Sequence, residues 1–186
     1  MKVTRINLLI VWIALLTLSC NKKENKSEES TRLNSEKVVA INSPYELISR
    51  EDVKNIFNVV EFPIDVQDKV LTQPTCIYKW EDSKVFRMKK IVNQEVKFAM
   101  PSEVLIVMVK KCTESMFKRS TSVYKQPHLI ENLGDMAVWD VRMSQMTFLS
   151  NHFIFHVHVK VSNENQINLK KATEVSNLII EKLSAF

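Results

Sequence analysis

His156 and His158 stand two residues apart near the end of this 186-residue chain. On an extended strand that spacing projects both imidazoles from one face, about 7 Å apart. Two rings so placed could share a zinc or copper ion if a third donor came from elsewhere. Asp140, a glutamate and His128 are the candidates, while His152 lies too far along the strand to join easily. The plainer reading is the solvated face of an antiparallel strand. That reading is preferred, and no cofactor is expected.

Alternation makes the strand. Phe153, Phe155, Val157, Val159 and Val161 take one face, and His152, Ile154, His156, His158 and Lys160 the other. A slip of one residue would put the histidines into the core and the large apolar side chains into water, so the register is firmly set. The apolar set should be buried, with His156 and His158 at least partly exposed.

Cys76 and Cys112 are the only cysteines after Cys20. In an exported chain a disulfide between them is the expectation. It depends on topology. If Thr75–Trp80 and Glu103–Val109 pair directly and antiparallel, the cysteines fall close together. If Val85–Ile91 forms a strand between them, they lie at opposite ends. A Cys–His nucleophilic pair with His128 has nothing to orient it.

Glycine usage excludes more than any motif includes. Gly134 is the one glycine in the chain. Phosphate-cradling loops and dinucleotide fingerprints need several, and the nucleophile elbow of serine hydrolases needs two. Turns requiring positive φ are therefore expected on Asn or Asp. Trp80, Trp139 and Tyr78 read as core or sheet-face residues rather than a ligand cage. The eight methionines read as scattered packing residues rather than a copper(I) site.

The elements that position these residues follow in order. Asn21–Glu36 has one apolar residue, Leu33, and balanced charges, which suits an unfolded tether. One domain is expected over 38–186. Ser49, with Asp52 three residues on, opens a helix carrying Val53, Ile56, Phe57 and Val60 at helical spacing, and Ser43-Pro44 can start a shorter turn before it. Thr75–Trp80 and Glu103–Val109 read as strands, Lys84–Met100 shows no clean period, and Thr113–Tyr124 suits a helix. Gly134-Asp135 introduces strands at Met136–Arg142, Met146–Ser150 and His152–Val161, with Asn151 in a tight turn. Asn165–Leu183 closes the chain with an apolar stripe of Ala172, Val175, Leu178, Ile179 and Leu183. The class is α+β: an antiparallel sheet with helices packed on one face, an N-terminal helix and a C-terminal amphipathic helix.

The first twenty residues indicate where the protein works. Lys2 and Arg5 precede the apolar run Leu8–Leu18, which stops at Ser19-Cys20. The run is short of the ~20 residues needed to span a bilayer, so residues 1–19 read as a removable export signal. Because it ends at a cysteine, the segment resembles a bacterial lipoprotein signal, with Thr17 where leucine is usual. The resemblance implies that Cys20 is lipidated, becomes the mature N-terminus and anchors the protein in the cell envelope. Losing Lys2 and Arg5 takes the formal net charge from +5 to +3. With basic residues mostly scattered, this is no nucleic-acid footprint.

A second likeness rests on Leu47-Ile48-Ser49, Cys76-Ile77-Tyr78-Lys79-Trp80 and Gly134-Asp135-Met136-Ala137-Val138-Trp139. With the alternating strand and final helix, residues 43–186 resemble small exported bacterial lipoproteins and sensor-like extracytoplasmic domains. The resemblance implies a fold and supplies no catalytic residues. The function expected is a lipid-anchored, non-catalytic binding module for a protein or envelope component, with an immunity or inhibitor protein as one form. The alternative is a metal-handling lipoprotein using His156 and His158, and an enzyme comes third.

Overall fold

The computed structural model describes residues 40–185. Cys20, the polar tract and the start of the domain at Val38 lie outside them. A single 3-10 turn, Pro44–Glu46, is capped by Ser43 and leads into helix α1, Arg50–Phe57. The expected capping box is present. Ser49 Oγ accepts from Asp52 N at 3.2 Å, and the Asp52 carboxylate accepts from Ser49 N at 2.7 Å. Asn58 ends the helix at φ 51°, a conformation Asn tolerates.

Strands β1 (Asp65–Val70), β2 (Pro74–Ile91) and β3 (Gln94–Val109) follow, then helix α2 (Glu114–Thr121). The chain continues through β4 (Pro127–Leu129), β5 (Met136–Asp140), β6 (Gln145–Ser150) and β7 (Phe153–Lys160) to helix α3 (Asn165–Ser184). The seven strands form one antiparallel sheet in the order β1-β2-β3-β7-β6-β5-β4. No described helix is long and apolar enough to cross a membrane.

α1 and α3 pack on one face of the sheet. There Val53 and Phe57 meet Val175, Ile179 and Leu183 over Tyr78, Ile106, Phe148, Phe155, Val157 and Val159. Trp80, Trp139 and Tyr78 are all buried in this core, as expected of them. The Tyr78 hydroxyl donates to Ile48 O, so its polar end is satisfied. Asn168, fully buried in α3, ties the end of β7 to the helix: its Oδ1 accepts from Val161 N and Ser162 N, and its Nδ2 donates to Ser162 O.

The other face is covered at one end by α2. Phe117 packs there with Cys112, Val138, Leu149 and Ile154. The β6–β7 turn places Asn151 at φ 48° and His152 at φ 62°, so the strand begins at Phe153 rather than His152. Positive φ is not confined to the expected Asn and Asp. Asn58, Asn132 and Asn151 adopt it, but so do Ser83, Val92, Lys111, Ser144 and His152.

Lys84–Met100, which lacks a clean sequence period, is the outer half of one long hairpin. β2 and β3 stay paired from Thr75↔Val107 to Ile91↔Gln94, with a bulge between Trp80 and Val85. β1 reaches only Lys79, and β7 pairs only with Glu103–Val109. Beyond the bulge, therefore, no further strand lies beside the ribbon among the described residues.

Candidate functional site

The register brings the singled-out residues onto the face opposite α1 and α3 in three rows. One row runs Gln67, Ile77, Leu105, His158, Gln145, Asp140. The next runs Lys69, Thr75, Val107, His156, Thr147, Val138, and a short third joins Asp65, Lys79, Glu103 and Lys160. The alternation follows the sequence for Phe155, Val157 and Val159, which are fully buried, and for His156 and His158, which are half-buried. Phe153, expected buried, is only half-buried, and Ile154 on the histidine face is buried under α2.

His156 belongs to a polar chain that closes on itself. Gln145 Nε2 donates to Tyr124 Oη at 2.6 Å, Tyr124 Oη meets Thr147 Oγ1 at 2.5 Å, and Thr147 Oγ1 lies 2.8 Å from His156 Nδ1. Gln145 Nε2 also stands 3.3 Å from that nitrogen, which makes Nδ1 an acceptor and leaves the ring proton on Nε2. Burial pushes the imidazole below its ordinary pKa and favours this neutral form. Burial also raises the Tyr124 phenol, against the hydrogen bonds from Thr147 and Gln145.

His158 points elsewhere. Its Nδ1 donates to Met143 O at 2.8 Å, and its Nε2 is 3.9 Å from Glu103 Oε1. Glu103 in turn pairs with Lys79 at 2.7 Å. The third-ligand candidates do not converge on the pair. The buried Asp140 carboxylate accepts from the backbone N–H groups of Lys125, Gln126 and Met143 at 2.8–3.2 Å. His128 is paired with Trp139, on the opposite face from His156. Among the described residues no three His, Cys, Asp or Glu side chains come together as a metal site.

Cys76 and Cys112 are both free and buried, so the expected disulfide is corrected. Direct antiparallel pairing does occur, with Cys76 opposite Ile106. Cys112 lies six residues past that partner, beyond the end of β3, and packs under α2, whereas Cys76 sits in the core beneath α1 and α3. The two thiols occupy opposite faces of the sheet, too far apart in direction for a bond. Burial raises both thiols, Cys76 to about 11, so neither is an activated nucleophile.

What the face does offer is an apolar patch. Ile77 is buried and Leu105 and Val107 are half-buried, yet none belongs to either core cluster, and α2 packs farther along, over β5 and β6. Where this face meets the base of the long hairpin there is a groove of about 360 Å³, bordered by Lys79, Arg87, Glu103, His158 and Lys160. No sequence signal marks Tyr124, Thr147, Gln145 or Glu103, because their roles depend on cross-strand register. Comparison with known protein families, with curated proteins and with solved structures gives no match for this chain.

Proposed function

We propose that this chain is a non-catalytic binding module of the cell envelope, held there by lipid on Cys20, which takes a protein partner on its open sheet face. An immunity or inhibitor protein is one form this would take. The reading rests on one observation above all. Leu105 and Val107, on the central strands, are only half-buried and belong to neither core cluster, with the buried Ile77 beside them, while the reverse of the same strands is fully covered. A partly exposed apolar patch rimmed by paired charges is a common form for a protein-binding surface. The polar side chains around it are consistent with this: His156, Asp140 and Glu103 spend their hydrogen bonds on one another's neighbours, not on a shared point in space.

The test is site-specific photocrosslinking in the native envelope, with the reactive side chain at Leu105 or, as control, at Asn177 on the exposed side of α3. A discrete protein adduct from Leu105, absent from Asn177 and abolished by Val107→Glu, is expected. Equal adducts at both positions, or none at Leu105, would remove the reading.

A further inference from the structure

The ribbon beyond the bulge, Val85–Met100, is unlike the rest of the molecule. It extends for seven paired positions with no other strand beside it among the described residues, about 23 Å at the rise of an antiparallel strand. An unsupported two-stranded ribbon is marginal in water, so it is expected to carry charge rather than apolar side chains. Here it carries both. Met88, Ile91, Phe98 and Met100 are each 41–48% exposed, and Val92 at the tip is 87% exposed. Arg87, Lys89, Lys90 and Lys97 face a single acid on the ribbon, Glu95. None of these four cations makes a salt bridge among the described residues, though Lys97 lies over the Phe86 ring at 3.9 Å.

The order along the ribbon is informative. The turn at the tip is Val92-Asn93, Ile91 is the last paired residue before it, and the lysine pair Lys89-Lys90 comes immediately behind Ile91. Lys89 is three positions from Val92, about 10 Å at strand rise. An amphipathic segment resting in a bilayer surface sinks about 5–10 Å into the boundary between headgroups and acyl chains. An apolar tip at that depth would leave the lysines level with the phosphates. Val92 also holds φ 56°, where a β-branched residue is strained and Asn or Gly would be at ease. A strained residue that is also the most exposed large apolar side chain among the described residues indicates a role for the side chain itself.

We propose that this arm inserts its Ile91-Val92 tip into an anionic lipid surface, with Lys89 and Lys90 binding the phosphates of the headgroups. The contact is separate from both the Cys20 lipid and the open sheet face, and neither is needed for it.

The experiment uses the full chain carrying Cys20→Ser, so that no lipid on that residue contributes, with every arm variant sharing the same N-terminus. Co-sedimentation is measured with vesicles of phosphatidylcholine alone and of equimolar phosphatidylcholine and phosphatidylglycerol. The wild-type arm should bind the anionic vesicles and prefer them to the neutral ones. Lys89→Gln with Lys90→Gln should weaken that binding roughly thirty-fold, since each surface cation contributes about a factor of five. Val92→Asn should weaken it about tenfold. Asn fits the left-handed turn better than Val, so a loss there cannot be blamed on a broken hairpin. Three results overturn the proposal: equal binding by wild type and both arm variants, no preference for anionic vesicles, or displacement by polyglutamate with Val92→Asn having no effect. The last would mark the arm as a site for an acidic protein.

Discussion

Asn163 grips Phe86 by both ends of its amide, across 77 positions of sequence: its Oδ1 accepts from Phe86 N at 2.9 Å, and its Nδ2 donates to Phe86 O at 2.8 Å. The side chain imitates one rung of a sheet. It holds the base of the arm to the loop between β7 and α3 just where β1 and β7 cease to flank the hairpin. Asp82 braces the same bulge, accepting from Trp80 Nε1 at 2.9 Å and Ser102 Oγ at 2.7 Å. Burial alone would raise the Asp82 carboxyl, but Ser102, Trp80 and the Lys84 amide together hold it below the usual range.

Asn163→Ala should therefore free the arm without unfolding the sheet. The two bonds are solvent-exposed, so the global loss should be about 1 kcal/mol. Backbone amides of 85–100 should exchange with solvent markedly faster, while those of β7 keep their protection. Uniform acceleration across the domain would show that the clamp supports the whole fold instead.

The strands that the sequence discloses are the ones with two different faces. Phe153–Lys160 alternates because one side meets α3 and the other does not, and Glu103–Val109 is dense because its apolar side chains face the core on one side and the open patch on the other. β1 escapes detection because Asp65, Gln67, Asp68 and Lys69 blunt an exposed edge, which needs no apolar pattern. The arm escapes for a related reason: beyond the buried Val85 at its base neither face is fully buried, so nothing imposes alternation on it, and its turn is Val92-Asn93 rather than a glycine pair. The histidine face was legible as a face. Its hydrogen-bond partners were not, since Tyr124 comes from the segment after α2 and Gln145 from another strand.

Gly134 should prove irreplaceable. It adopts φ +60°, and a Cβ added there would stand 2.5 Å from Leu149 O. That carbonyl also accepts from Asp135 N at 2.8 Å, so it cannot easily move away. Gly134→Ala combines about 1–2 kcal/mol of left-handed backbone cost with this collision, so a loss of at least about 2 kcal/mol is expected. Chemical denaturation measures it, and a change below about 0.5 kcal/mol would contradict the geometry.

Alkylation distinguishes the two accounts of the cysteines. Protein from the envelope, unfolded in denaturant without reductant, should take label on both Cys76 and Cys112, as free thiols on opposite faces require. Folded protein should label slowly at both, because each thiol is buried and held protonated. An intact mass showing neither position labelled after unfolding would restore the disulfide and demand a different register.

His156 should make the fold sensitive to mild acid. Burial holds its imidazole below the ordinary value, whereas in the unfolded chain it titrates near ~6.5. Between the folded and unfolded pKa values the unfolded state binds more protons, so stability rises with pH across that window. Lowering the pH through ~6.5 thus weakens the fold, and the loss from this group is complete only below its depressed folded value. Asp52 acts in a different range. Burial would raise its carboxyl, but Lys182, 2.6 Å away, and Ser49 outweigh that and keep it low. Its contribution is present above the unfolded value of ~3.9 and disappears as the pH falls through the lower folded one. The urea midpoint should therefore fall between about pH 7.5 and pH 5.5 in the wild type. In His156→Gln that slope should flatten, whereas in Asp52→Asn it should persist with the change appearing only below about pH 4. His156→Gln also keeps a side chain able to accept from Thr147 Oγ1, so a lower plateau at neutral pH would report lost packing rather than lost titration. An unchanged slope in His156→Gln would mean that the ring reaches water far more readily than its hydrogen-bonded place beside Thr147 and Gln145 allows.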